Sequence, residues 1–340
     1  MLPLVFLTVA GTGCIQFSPG DTGAGDTAVS DVDTRVDSAS DTDTHRDSAS
    51  DTDTQADSGT PCDAGSPIDT ATPCDHGVTT QAGIDFVGMC PTVYEMGCTA
   101  AEYDTAGNND CDGDETLHAV KLTQPFVIGV SEVTQDQFYA TMGYQPSAIE
   151  GGALPVETVT WSEGAAFANA LSDAAGLGDC YACSGDGATV ECAVSVDAYA
   201  CDGYRLPTEA EWEAAARCGD DQLYAGSDTI DDVGWYADNS GASTHEVDML
   251  QANACGIYDM TGNVWEWVQD YLADYTGDPA YCETDNTAVN PDGPLTGAHR
   301  VMRGGGYNVP AKLARVPNRG DSSPSDAADG LGLRLARSVR

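Results

Sequence analysis

Apolar and polar residues follow two different periods along the chain from about residue 84 onward. Residues 117–130 place apolar side chains at Val120, Leu122, Phe126, Ile128 and Val130. This partial alternation predicts strands that bury one face. Short runs at 86–89 and 94–97 predict two further strands before it. Three later segments share a helix-start signal. Thr134 with Gln137, Thr160 with Glu163 and Thr208 with Glu211 each read Thr-x-x-Glu/Gln. In such a capping box each side chain bonds the other residue's backbone N–H, so two orphan donors are satisfied at once. Pro207 keeps the third helix from extending backwards. Gly143, Gly176 and Gly219 are the expected stops, because a left-handed residue closes the last turn. Phe138, Ala165, Ala166, Ala168, Leu171, Trp212 and Ala216 supply the buried faces. Leu331, Leu333 and Leu335 alternate again near the C-terminus and predict a packed strand.

Residues 21–75 show neither period. A ten-residue unit, RVDSASDTDT at 35–44, returns as HRDSASDTDT at 45–54. Such a segment is highly charged and lacks aromatics, so it buries too little apolar surface to offset its ordering entropy. It predicts an acidic, self-repelling stalk over residues 15–83, with the folded head at 84–340. A calcium-binding Asp repeat is the competing reading, but the unit lacks the glycine and closing glutamate of a cation-wrapping loop. Upstream, residues 1–10 form an apolar run too short to span a bilayer as a helix. Gly11-Thr12-Gly13-Cys14 follows and resembles a bacterial lipoprotein processing site, with residues 1–14 as leader and Cys14 as the lipidated residue. The expected address is an outer-membrane or cell-surface lipoprotein, otherwise a periplasmic or secreted protein.

Charge narrows the partners. The formal net charge is −42, with 55 acids against 13 Lys plus Arg. Nucleic acid is excluded as a partner, because binding it requires cations that neutralise phosphates. Eight of the thirteen cations fall in residues 300–340, which predicts that this segment lies among carboxylates of its own domain. The thirteen cysteines fit an oxidising compartment. Cys180, Cys183, Cys192 and Cys201 open with C-x-x-C but continue at wide spacing, so two disulfides are expected rather than zinc. Sequence leaves all three pairings of these four open. Cys90, Cys98 and Cys111 are candidates to staple the start of the head, and Cys218, Cys255 and Cys282 its middle.

The densest chemistry lies in GIYDMTGNVWEW at 256–267. Asp259 and Glu266 flank backbone carbonyls there, and calcium takes six to eight such oxygens. The bland reading is a turn at Gly262–Asn263 with both acids in solvent. The five histidines are scattered, and neither a G-x-S-x-G elbow nor a P-loop occurs.

PVETVTW (155–161), YRLPTEAEWEAAAR (204–217), GIYDMTGNVWEW (256–267), RVMRGGGY (300–307) and LGLRLAR (331–337) occur in this order. With EVTQDQF (132–138), they resemble the formylglycine-generating enzymes, or sulfatase-modifying factors, over about residues 84–338. The resemblance implies one disulfide-stapled α+β domain of C-type-lectin-like kind with much irregular structure. It implies calcium held by Asp259, the Gly262 and Val264 carbonyls, and Glu266. Catalytic members carry two cysteines five residues apart after the RGG turn, which hold copper and oxidise a sulfatase cysteine. Here those positions are Val309 and Ala314, so copper is not expected, since soft Cu(I) needs thiolates. The expectation is a monomeric, calcium-stabilised head that binds a protein, peptide or glycan ligand. Its cleft would lie near 308–319, with Asn308, Arg315 and Arg319 facing an anionic ligand. The competing expectation for the two arginines is pairing with the domain's own acids. The competing function is an unconventional oxidoreductase of the family, working by protein cysteine oxidation or non-haem iron.

Overall fold

The structure, a computed structural model, describes residues 78–98, 111–273 and 287–339. Expectations for the leader, Cys14, the stalk up to residue 77 and Cys282 lie outside the described residues. Every described residue belongs to one compact unit.

The chain enters as a hairpin. Strand β1 (Thr79–Gln81) pairs antiparallel with β2 (Ile84–Met89). Ala82 and Gly83 between them have φ of 50° and 79°, the double positive φ that suits a two-residue hairpin turn. The head therefore starts before Ile84, which corrects the predicted stalk boundary at residue 83. Thr79–Gln81 has no hydrophobic pattern to announce it, because an edge strand is held by backbone bonds.

Strands β3 (Thr92–Met96), β4 (His118–Leu122) and β5 (Phe126–Gly129) follow where the alternation placed them. Helices α1 (Gln135–Met142) and α2 (Trp161–Ala175) come next. Strands β6 (Tyr181–Ser184) and β7 (Glu191–Val194) form a separate two-stranded ribbon. Then come β8 (Tyr204–Arg205), α3 (Glu209–Arg217) and the short α4 (Ile230–Val233). The remainder is strand: β9 (Trp265–Tyr271), β10 (Thr287–Val289), β11 (Arg300–Arg303), β12 (Gly320–Ser322), β13 (Leu331–Leu333) and β14 (Ala336–Ser338).

All three capping boxes form with both reciprocal bonds. Gly143 and Gly176 close α1 and α2 in the left-handed region. The third helix stops one residue earlier than expected. Cys218, not Gly219, adopts φ of 46° and donates its N–H to the Ala214 carbonyl. Its disulfide to Cys255 and its buried position hold a non-glycine residue where glycine is usual.

Two large sheets carry the core. One has the order β1-β2-β5-β14-β8, and the other β12-β11-β9-β13. A smaller sheet has the order β10-β4-β3. Strand β10, which no pattern in the sequence announces, runs parallel to β4. Its three residues are too few for a readable period. Trp161, Phe167, Leu171, Trp267, Leu331, Leu333 and Leu335 fill one buried cluster, so the C-terminal alternation is a packed strand as expected. Trp212, Ile128, Ile257, Met260 and Val301 fill another.

Disulfides close the irregular stretches. Cys180 pairs with Cys201 and Cys183 with Cys192, as two bridges rather than a zinc site. Cys98–Cys111 staples the start of the head and Cys218–Cys255 its middle.

Candidate functional site

The central stretch folds back on itself through a turn that only glycine permits. Gly262 has φ of 75°, and a Cβ there would lie 2.1 Å from the Trp235 carbonyl oxygen. Asp259 and Asn263 also take left-handed conformations, at φ of 56° and 58°. This compact path turns Asp259 and Glu266 inward: they are 4% and 1% exposed. The solvent-facing alternative for these acids is therefore excluded.

Each buried acid has partners. Glu266 takes Arg334 Nε at 2.8 Å and Nη2 at 2.7 Å, and Trp212 Nε1 donates to it at 2.7 Å. Asp259 accepts the Asp248 N–H at 2.8 Å on Oδ2. A third acid, Glu132, completes the group. Its carboxylate accepts the Val264 N–H at 3.0 Å and Asn263 Nδ2 at 2.7 Å. Sequence reasoning missed Glu132 as a site residue, although it opens the EVTQDQF motif. Burial pushes the Asp259 carboxyl up to about 6, with the charges of Asp248 and Glu266 adding to it. Burial pushes Glu132 well above the usual carboxylate range, and Asp259 and Glu266 reinforce the shift. Both shifts record three buried carboxylates facing the Arg334 guanidinium.

The three acids supply hard oxygens, the kind of donor that calcium takes, and carry more negative charge than Arg334 neutralises. Asp259 retains Oδ1 outside the bond to Asp248. Glu266, by contrast, is already engaged by Arg334 and Trp212. The three acids do not converge on one point, and the cluster that does so among the described residues, Cys98, Cys111 and Glu115, has both sulfurs in a disulfide.

The RGG turn leads from β11 to the second predicted region. Gly305 has φ of 75°, and a Cβ there would meet the Ala314 Cα at 2.8 Å. Val309 is half-buried; its N–H donates to the Gly306 carbonyl and its carbonyl accepts from Ala237. Ala314 is fully buried and packs in a cluster with Tyr224, Ile230, Val233 and Tyr236. Neither side chain carries an atom that ligates a metal or attacks a substrate.

Asn308 is exposed, but Arg315 and Arg319 do not join it. Arg315 makes a fork to Glu115, both bonds at 2.9 Å. Arg319 makes a fork to Glu209 at 2.7 and 2.9 Å. Both arginines are buried, so they hold the segment to the body and do not face a ligand. The competing expectation, pairing with the domain's acids, is the one realised. Arg303 extends this network to Glu213, and Glu213 also binds Arg217 at 2.9 Å. Helix α3 is thus buried on every side while carrying four charged residues. Glu209 and Glu213 are matched from far along the chain, by Arg319 and Arg303, whereas Glu211 pairs with Arg205 just before the helix and Arg217 with Glu213 inside it.

Beside the turn, the His245 ring stacks on Trp235 with centroids 3.7 Å apart. His245 Nε2 lies 2.8 Å from the Ser240 carbonyl, and Ser240 Oγ donates to the Tyr307 carbonyl. No sequence motif pointed to this stack.

Comparison with known proteins agrees with this geometry. The model of the sulfatase-modifying factor enzyme 1-like domain matches residues 93–339. A chaperone protein, LppX, of Paenibacillus barcinonensis is 31% identical over 242 residues, 63% of this chain and 80% of that protein. The formylglycine-generating enzyme of Streptomyces coelicolor is 36% identical over 152 residues. That match covers 39% of this chain and 46% of the enzyme, so it spans about half the enzyme's length. Among solved structures, Treponema denticola variable protein 1 superposes with a TM-score of 0.64 at 30% identity, covering 77% of this chain and 99% of that one. With the ordered motifs, the mixed sheets and a family match over most of its length, the chain belongs to the sulfatase-modifying factor family and has the formylglycine-generating-enzyme-like α+β fold.

Proposed function

We infer that this protein is an exported, sulfatase-modifying-factor-like binding protein that does not generate formylglycine. The observation that carries the reading is the pair Val309 and Ala314. Sulfur is absent from both positions, and the sequence has no cysteine after Cys282. A valine and an alanine cannot hold Cu(I) or form a redox thiol. The four described disulfides fit an exported protein. Lipidation at Cys14 and an acidic stalk would then present the head at a bacterial surface.

Calcium belongs to this proposal. Asp259, the Gly262 and Val264 carbonyls and Glu266 would hold it, and Glu132 would add charge from the second sphere. When bound, calcium would neutralise the excess carboxylate and fix the turn. The ligand of the head would be a protein, peptide or glycan, met by the exposed surface around Asn308.

The similarity to formylglycine-generating enzymes favours a second reading, an oxidoreductase using other residues. Two measurements separate them. Metal analysis of the purified protein is expected to find calcium without stoichiometric copper or iron. Incubation with a sulfatase-derived cysteine peptide is expected to yield no aldehyde. Aldehyde formation with copper bound would overturn the binding reading. A glycan and peptide array, read with and without chelator, then identifies the ligand class.

A further inference from the structure

The β6–β7 ribbon carries a disulfide unlike its neighbours. Cys183 and Cys192 sit directly opposite each other across the two strands, with Cα atoms 4.1 Å apart. Cys183 is exposed and Cys192 half-buried. In the other described bridges Cys98, Cys180, Cys201, Cys218 and Cys255 are buried and Cys111 is half-buried, so Cys183 is the exposed sulfur among them. Access is the first requirement for attack on a disulfide.

The ribbon is rooted in the core by Tyr181, which packs edge-on to Trp161. It pairs with neither large sheet. A second bridge, Cys180–Cys201, encloses it and ties its base to the body. The inner bridge therefore closes only the nine-residue separation from Cys183 to Cys192.

Each sulfur has a polar neighbour suited to the reduced state. Asn169 Nδ2 points at Cys183 Sγ over 3.8 Å. That amide is held by the Tyr181 backbone, donating to its carbonyl at 2.7 Å and accepting its N–H at 3.3 Å. Cys192 Sγ lies 3.3 Å from the Ser162 carbonyl oxygen. A disulfide sulfur has no proton to give that oxygen, whereas a thiol does. The Cys192 N–H is meanwhile fixed by Ser162 Oγ at 3.1 Å.

We propose that Cys183–Cys192 is a thiol–disulfide exchange site whose substrate is a dithiol. One thiolate of the dithiol attacks the exposed Cys183 Sγ. The Cys183–Cys192 bond breaks, a mixed disulfide forms at Cys183, and Cys192 leaves as a thiolate. Cys192 takes a proton from water and, as a thiol, keeps it while its S–H hydrogen-bonds the Ser162 carbonyl oxygen. The second thiol of the dithiol, deprotonated, attacks its own half of the mixed disulfide. Cys183 leaves as a thiolate that accepts the Asn169 N–H. The protein gains two electrons and the dithiol becomes a cyclic disulfide.

The test treats the folded full-length protein with millimolar dithiothreitol, quenches with N-ethylmaleimide and maps the label by peptide mass. Label is expected at Cys183 and Cys192 about tenfold faster than at Cys180, Cys201, Cys218 or Cys255, as accessibility dictates. Circular dichroism should be unchanged at that stage. The variant Cys192→Ser, treated with glutathione disulfide, is expected to gain one mixed disulfide at Cys183. Simultaneous labelling of all these cysteines with loss of circular dichroism would overturn the proposal. So would protection of Cys183 while another bridge opens. The wild-type labelling order decides the matter even where the variant does not fold.

Discussion

Arg334 and Glu266, 68 residues apart in sequence, form a closed fork in the core. Arg334 Nε and Nη2 reach Glu266 at 2.7 to 3.0 Å, and neither side chain is more than 1% exposed. Arg334 also donates to the carbonyls of Gly129 and Tyr258, both at 2.9 Å. One guanidinium thus ties β5, the central stretch and the C-terminal segment together. Arg334→Met leaves Glu266 as an uncompensated buried charge, which costs about 3–5 kcal/mol. Denaturant unfolding of the variant should show this loss. Combining Arg334→Met with Glu266→Gln should recover part of it.

The helix starts carry a smaller, local contribution. Thr160 accepts the Glu163 N–H at 3.1 Å, and Glu163 answers on the Thr160 N–H at 2.8 Å. Thr160→Ala should cost about 1 kcal/mol, since it removes one half of the box. Thermal melting of the two proteins side by side measures it.

Calcium affinity has a direct readout. If Asp259 takes part in holding the ion, added calcium stabilises the fold by mass action, about 2.7 kcal/mol at a hundredfold excess over Kd. Asp259→Ala, which removes the side-chain oxygens altogether, should abolish the calcium-dependent rise in Tm, each protein being compared with its own melt in chelator. An equal rise in both proteins would place the ion elsewhere.

The two positions lacking sulfur should respond differently to size. Ala314 is fully enclosed and lies against Gly305. Ala314→Leu should cost about 1–3 kcal/mol through overpacking. Val309 is half-buried, so Val309→Ala should cost less than about 1 kcal/mol. Equilibrium unfolding distinguishes the two outcomes.

His118 gives a pH signature. Burial lowers its pKa from the ordinary 6.5, and the backbone carbonyl of Thr116 opposes the shift only in part. The unfolded chain therefore binds the proton first as pH falls. Its contribution is full above about 6.5 and is lost as pH falls towards the lowered value. Asp259 and Glu132, whose raised carboxyls take protons in the folded state first, work in the opposite direction over the same range. The decline is therefore read as the difference in unfolding midpoint between the protein and His118→Gln from pH 7.5 down to 5.

Local signals in the sequence were sufficient wherever the interaction spans a single turn or strand. The capping boxes at Thr134, Thr160 and Thr208 join residues three apart, so their partners are decided by spacing alone. The alternation at Leu331, Leu333 and Leu335 was legible for the same reason, because one face of a short strand meets one core. The identities of Val309 and Ala314 likewise needed no coordinates: the missing sulfur is a property of the residues themselves.

Partner choice among the charges and cysteines was settled only by the tertiary structure. Every arginine in an acidic chain has many carboxylates to choose from, and composition predicts that it will find one without saying which. Topology brings Glu115 to Arg315 across 200 residues and Glu209 to Arg319 across 110. That closure turns two expected ligand contacts into buried forks. The same holds for the pairing of Cys180 with Cys201 and for Cys218 closing α3. Such contacts depend on which distant segments the packed sheets place side by side, and no period of 2 or 3.6 residues encodes that distance.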